Sequence, residues 1–93
     1  MKKSLSPLEL FLFAESLYQT GKTDAAEQAF HAVTSDNDFY EQSLFRLAEI
    51  ARLGGDEKKA LSFFTKIAEI EKNSLWKQYA ERELQFAKTS ARI

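Results

Sequence analysis

Two stretches of this chain, LFLFAESLYQTGKTDAAEQAFHAV from Leu10 to Val33 and LFRLAEIARLGGDEKKALSFFTKI from Leu44 to Ile67, align without a gap at an offset of 34 residues. The shift pairs Leu10 with Leu44, Phe11 with Phe45, Ala14 with Ala48 and Glu15 with Glu49. It also pairs Gly21 with Gly55, Ala26 with Ala60, Phe30 with Phe64 and Val33 with Ile67. Self-similarity at a fixed period of this length constrains the fold strongly. Each copy is one supersecondary unit that cannot bury its apolar face alone and must stack on its neighbour.

Within each copy the apolar residues follow a helical period on both sides of the glycine. Leu10, Phe13, Ala14 and Leu17 fall at i, i+3, i+4 and i+7, and Leu44, Leu47, Ala48 and Ala51 repeat that spacing. A second stripe runs through Ala26, Ala29, Phe30 and Val33 and recurs as Ala60, Phe63, Phe64 and Ile67, so each copy is expected to be a helix pair. Helix starts are marked by Ser6-Pro7-Leu8-Glu9, which offers an N-cap serine, a proline at the first helical position and a capping-box glutamate. Asp38-Phe39-Tyr40-Glu41 has the form of a second capping box, and Thr23 and Asp56 are expected to cap the second helix of each copy. Gly21 and Gly55 fall where a helix ends and the backbone is expected to turn through positive φ.

The stretch Thr20-Gly21-Lys22-Thr23 has the ending of a phosphate-binding loop, but the glycine needed five positions earlier is Ser16, and the flanking pattern is helix rather than strand-to-helix. Its counterpart in the second copy, Leu53-Gly54-Gly55-Asp56, keeps the glycine and loses lysine and threonine. The motif therefore reads as a helix–helix turn. After the second copy, NSLWKQYAERELQFAKTSARI predicts one more helix, with Asn73 or Ser74 as cap and Trp76, Ala80, Leu84 and Ala87 on one face. Lys77, Glu81, Lys88 and Arg92 on the opposite face suit a helix that closes a stack and meets water outside.

A chain of 93 residues is expected to make a single domain, with a first copy over about 7–37, a second over about 38–72 and the closing helix over about 74–90. The absence of cysteine excludes disulfides and thiolate metal sites. Thirteen basic residues against fourteen acidic ones, interspersed along the chain, argue against the gathered basic face that nucleic acid requires. Two lysines precede an apolar run at the start, yet Pro7 and Glu9 interrupt it and no small-residue cleavage site follows, so it reads as a helix start rather than a secretion signal. No stretch approaches the roughly 20 apolar residues of a membrane span, so direct membrane insertion is not expected. Localisation is cytoplasmic by default, or periplasmic or membrane-associated if the sequence is part of a longer chain.

The 34-residue period, with a small residue at the eighth position, glycine at the fifteenth, alanine at the twentieth, an aromatic at the twenty-fourth and a small apolar residue at the twenty-seventh, resembles the tetratricopeptide repeat. Ala14, Gly21, Ala26, Phe30 and Val33 occupy those positions in the first copy, and Ala48, Gly55, Ala60, Phe64 and Ile67 in the second. The likeness runs from about Leu8 to Lys72. It departs from the family's pattern where a tryptophan is replaced by Leu10 and Leu44, a tyrosine by Leu17 and Ala51, and the closing proline by Asp38 and Lys72. The resemblance implies an all-α fold, a right-handed α-solenoid of two helix pairs plus a C-terminal capping helix, with the first helices lining a concave groove. It also implies a non-catalytic protein-interaction scaffold with a protein or peptide partner and no cofactor.

Once the core is subtracted, each first helix retains a second stripe: Phe11, Glu15 and Tyr18 in the first copy, Phe45, Glu49 and Arg52 in the second. Residues at i, i+4 and i+7 share a face, and the family's geometry would place these six in the groove, with Leu8, Gln42 and Arg46 nearby. Aromatic rings beside fixed charges suit peptide recognition. The alternative is that Phe11 and Phe45 simply pack between adjacent repeats. Members of the family that clamp a chaperone's C-terminal carboxylate use lysine and asparagine on this face, whereas Phe11, Glu15, Phe45 and Glu49 stand here, so an acidic peptide would be repelled. Glu15→Lys with Glu49→Lys is expected to leave the fold intact, both lying on a solvent-facing stripe. A second functional class is assembly, in which open stack ends pair copies of the chain or join it to a larger complex, for instance in the cell envelope.

Other chemistry is weakly supported. His31 is the only histidine and is expected at the surface. With Glu27 it would offer two metal ligands, too few for a site. Asp36-Asn37-Asp38 lacks the glycine and distal glutamate of a calcium loop. Glu69, Glu71, Glu81 and Glu83 alternate with Lys66, Lys72, Lys77 and Arg82, the pattern of solvated helix faces. Trp76 and Phe86 are expected to belong to the core or cap.

Overall fold

The computed structural model describes residues 5–70 and 74–90. Their regular elements are five α-helices: α1 Pro7–Gln19, α2 Thr23–His31, α3 Tyr40–Leu53, α4 Glu57–Ala68 and α5 Leu75–Ser90. The helices pack in sequence order, α1 on α2, α2 on α3, α3 on α4 and α4 on α5, and α3 also touches α5. This is the neighbour-on-neighbour packing of a helical repeat. Asn73, expected as a possible cap, lies outside the described residues, as do Glu71, Lys72 and Arg92.

The two turns that fold each pair back on itself are built alike. After α1 the Gly21 N–H donates to Tyr18 O and the Lys22 N–H to Leu17 O; after α3 the Gly55 N–H donates to Arg52 O and the Asp56 N–H to Ala51 O. Both are Schellman closures, which need a residue in the left-handed region, and Gly21 and Gly55 supply φ of 81° and 84°. The core lies between the pairs. Ala14, Ala26, Ala48, Ala60, Phe30, Phe64 and Ile67 are essentially solvent-free. Small alanines where helices approach and large phenylalanines in the space between them explain why the repeat alternates these residues. Each buried phenylalanine contributes about 1.5–3 kcal/mol.

Several expectations are corrected. Phe13, assigned to the core stripe of α1, is 51% exposed, whereas its counterpart Leu47 is 2% exposed. α3, which carries Leu47, packs on α2 of the preceding pair, while α1 has no described helix before it. Thr23 is not an N-cap: α2 begins at Thr23, Lys22 holds the cap position without a side-chain bond, and the Thr23 hydroxyl turns back to Gly21 O. Asp56 does cap α4, accepting from the Lys59 N–H at 3.0 Å, and Ser6 and Glu9 form the full capping box on α1. No second box forms at 38–41. There Phe39 is the cap residue, its N–H donates to Asn37 Oδ1, and buried Glu41 accepts from the hydroxyl of Ser74 just before α5. Ser74 caps α5, accepting from the Lys77 N–H. Lys77, expected on the outer face, is half-buried and donates to Ile70 O. Phe86 is 69% exposed and belongs to neither core nor cap packing.

Candidate functional site

A cleft of about 320 Å³ opens between α1, α3 and the start of α5. Phe11 and Glu15 line it from α1, Gln42, Phe45, Arg46 and Glu49 from α3, and Trp76 from α5. Four of the six groove residues expected from sequence, Phe11, Glu15, Phe45 and Glu49, thus meet in one place, together with Gln42 and Arg46. Tyr18 and Arg52 do not reach it. The half-buried Tyr18 ring lies under the Arg46 guanidinium, 4.9 Å from ring centre to Cζ. Arg52 is drawn toward α4 and α5 and covers the Phe64 ring at 5.3 Å.

The rings have structural work as well. Phe11 stacks on Phe39 at 5.0 Å and meets Phe30 edge-on at 6.1 Å. Phe45 lies 5.3 Å from both Phe64 and Trp76 and 6.2 Å from Tyr79. Pairs of this kind are worth about 0.5–1.5 kcal/mol beyond their area. Packing between repeats and exposure to the cleft therefore coexist in the same side chains: Phe11 and Phe45 are half-buried, with their remaining surface facing the opening.

Charge across the cleft is organised by Arg46. Its Nε and Nη2 donate to the two carboxylate oxygens of Glu15 at 2.6 and 3.1 Å, and its Nη1 donates to Glu49 Oε1 at 2.9 Å. The Glu15 hydrogen bonds, reinforced by the charges of Glu15 and Glu49, raise the guanidinium above the ordinary arginine value and outweigh its partial desolvation. Arg46 is therefore a permanent cation that joins α1 to α3. At the next joint Arg52 makes a bidentate pair with Glu57 at 2.8 and 2.9 Å and reaches Glu83 of α5 at 3.0 Å. Glu15 is thus more than a solvent-facing residue: its side chain is 21% exposed and holds a bridge between helix pairs. A lysine at position 15 would confront Arg46, so the neutrality expected of the double lysine variant does not follow.

Trp76, Tyr79 and Glu83 were missed as continuations of the groove rows, although the sequence carries their signal. The 34-residue offset runs on past the second copy: Leu8, Gln42 and Trp76 form one row, Phe11, Phe45 and Tyr79 another, Glu15, Glu49 and Glu83 a third. In that register the positions of the core stripe Leu44, Leu47, Ala48 and Ala51 become Gln78, Glu81, Arg82 and Gln85, all exposed. α5 therefore keeps the groove side of a first helix and replaces with polar residues the side where a partner helix would pack. His31 is exposed, with its ring 5.8 Å from Phe63, and no group of three or more potential metal-ligating side chains occurs among the described residues. No helix among them is long and apolar enough to cross a membrane.

Helix pairs stacked at a 34-residue period, with successive first helices framing a cleft, define an α-helical repeat protein. Residues 42–74 match the family model of the tetratricopeptide repeat, and the chain contains that repeat. Repeats of this family generally mediate protein–protein interaction and are typically non-catalytic. Neither the curated proteins nor the solved structures compared with the chain gave a match.

Proposed function

We propose that the protein is a non-catalytic interaction module that takes a peptide or helix of a protein partner in the cleft formed by α1, α3 and α5. The observation that carries this reading is the convergence of Phe11, Phe45 and Trp76 with the Glu15–Arg46–Glu49 bridge on one opening. Rings offer contact area at little entropic cost, and fixed charges set register. The test is selection from a random-sequence peptide display library on the immobilised protein. Trp76, the chain's one tryptophan, serves as the fluorescence reporter. Selected peptides are expected to change Trp76 emission and to lose binding to Gln42→Trp, a substitution that fills the opening from a half-exposed position. Peptides that bind without touching Trp76 and tolerate Gln42→Trp would move the active surface elsewhere.

A second reading, assembly through an open stack end, draws on one observation. Leu5, Leu8, Leu12 and Phe13 are each about half exposed on and beside α1, where a further helix pair or a second copy could pack. Sedimentation over a concentration series separates the readings: a dimer dispersed by Leu12→Glu supports assembly, and a monomer at all concentrations removes it.

A further inference from the structure

At two joints of the stack the carboxylates outnumber the cations that hold them. Arg46 is shared between Glu15 and Glu49, and Arg52 between Glu57 and Glu83. One guanidinium serving two carboxylates leaves one negative charge in excess at each joint. At the cleft the excess is concentrated on Glu49. Both oxygens of Glu15 are taken by Arg46, whereas Glu49 engages only Oε1, and its Oε2 makes no hydrogen bond within the described residues. The Glu49 side chain is 36% exposed and borders the opening beside the Phe45 and Trp76 rings.

A half-used carboxylate at the edge of an aromatic-lined cleft is a receptor for a positive charge. The carboxylate supplies an ion pair, the ring faces supply cation–π attraction, and partial exclusion of water strengthens both. A negatively charged group entering the same space would face two carboxylates against one guanidinium, whose three donations already go to those carboxylates.

Resting on the cleft as the interaction site, we propose that its occupant is a peptide segment carrying a lysine or arginine beside an apolar side chain, with the cation on Glu49 Oε2 and the apolar group against Phe11, Phe45 and Trp76. Gln42, two turns before Glu49 on α3 and also lining the cleft, provides both a donor and an acceptor for the segment's backbone.

The experiment sequences the peptides that survive the display selection and change Trp76 emission. Lysine and arginine are expected to be enriched over aspartate and glutamate. Glu49→Gln, a substitution of similar shape at a partly exposed position, is expected to weaken those peptides about fivefold to tenfold, the range of one partly desolvated ion pair. Versions with the cation replaced by glutamine should bind wild type and Glu49→Gln alike. Groove-dependent peptides that are neutral or acidic, or cationic ones indifferent to Glu49→Gln, would overturn the charge assignment while leaving the cleft as the binding site. A selection yielding no peptide sensitive to Gln42→Trp would remove the binding site itself, and the charge assignment with it.

Discussion

α1 and α3 carry nearly the same apolar pattern and differ in what lies beside them. Leu44 and Leu47 are 4% and 2% exposed on α3, a helix that packs on α2 before it and α5 after it; on α1 Leu10 is only half-buried and Phe13 is 51% exposed. The difference shows that burial in a stacked chain belongs to the interface between neighbours rather than to the helix that carries the residue. It also gives the two pairs unequal stability, the second being sealed on both sides by α2 and α5.

The strongest way to sharpen that contrast is to truncate equivalent residues. Leu47→Ala is expected to cost about 3 kcal/mol as a buried large-to-small change. Phe13→Ala should cost less than about 1 kcal/mol, since half of its surface is already in water. Urea unfolding followed by circular dichroism measures both, and equal losses would show that α1 is covered in solution.

Where the pairs are alike the contrast should vanish. Gly21→Ala and Gly55→Ala each place a side chain at positive φ with nothing within 4 Å to clash, so each is expected to cost about 1–2 kcal/mol from backbone conformation alone. A large inequality between them would mean that one turn relaxes and the other does not.

The helix starts should separate the pairs again. Asp56→Ala removes a side-chain cap and is expected to cost about 1 kcal/mol, whereas Thr23→Ala, at a position that caps nothing, should change stability by no more than a few tenths. Thermal melts of the two variants give the comparison directly.

The smallest effect lies in acid. The backbone N–H and then the hydroxyl of Ser6 hold the Glu9 carboxyl below the ordinary glutamate value, and hydrogen bonding from Arg52, reinforced by its charge, does the same for Glu57. A lowered folded value means that the stabilisation is complete above the unfolded glutamate range and fades as pH falls through the folded values. NMR titration should find both carboxyls ionising below glutamate in a peptide, with the Ser6 amide signal following Glu9.

The period of 34 residues, the helices on either side of Gly21 and Gly55, and the cap at Ser6 were readable because each rests on residues close together in the chain. What escaped depended on distant partners. Glu41 has the spacing of a capping glutamate, but its hydroxyl partner is Ser74, past the far end of its own helix pair. Phe13 has the spacing of a core residue, but the helix that would cover it is not among those described. Arg52 has the spacing of a groove residue, yet Glu57 of α4 and Glu83 of α5 offer its guanidinium two carboxylates that hold it out of the cleft. Trp76, by contrast, could have been placed in the cleft by extending the repeat one step further.

Arg46 borders the cleft and spans the joint between the two helix pairs with the same atoms. Spreading the two pairs would therefore draw Arg46 away from Glu15, and a guest that competed for Glu15 would loosen the joint. An occupant that engaged Glu15 would thus act on the joint as well as fill the cleft, and a change at the joint would be felt as a change in grip.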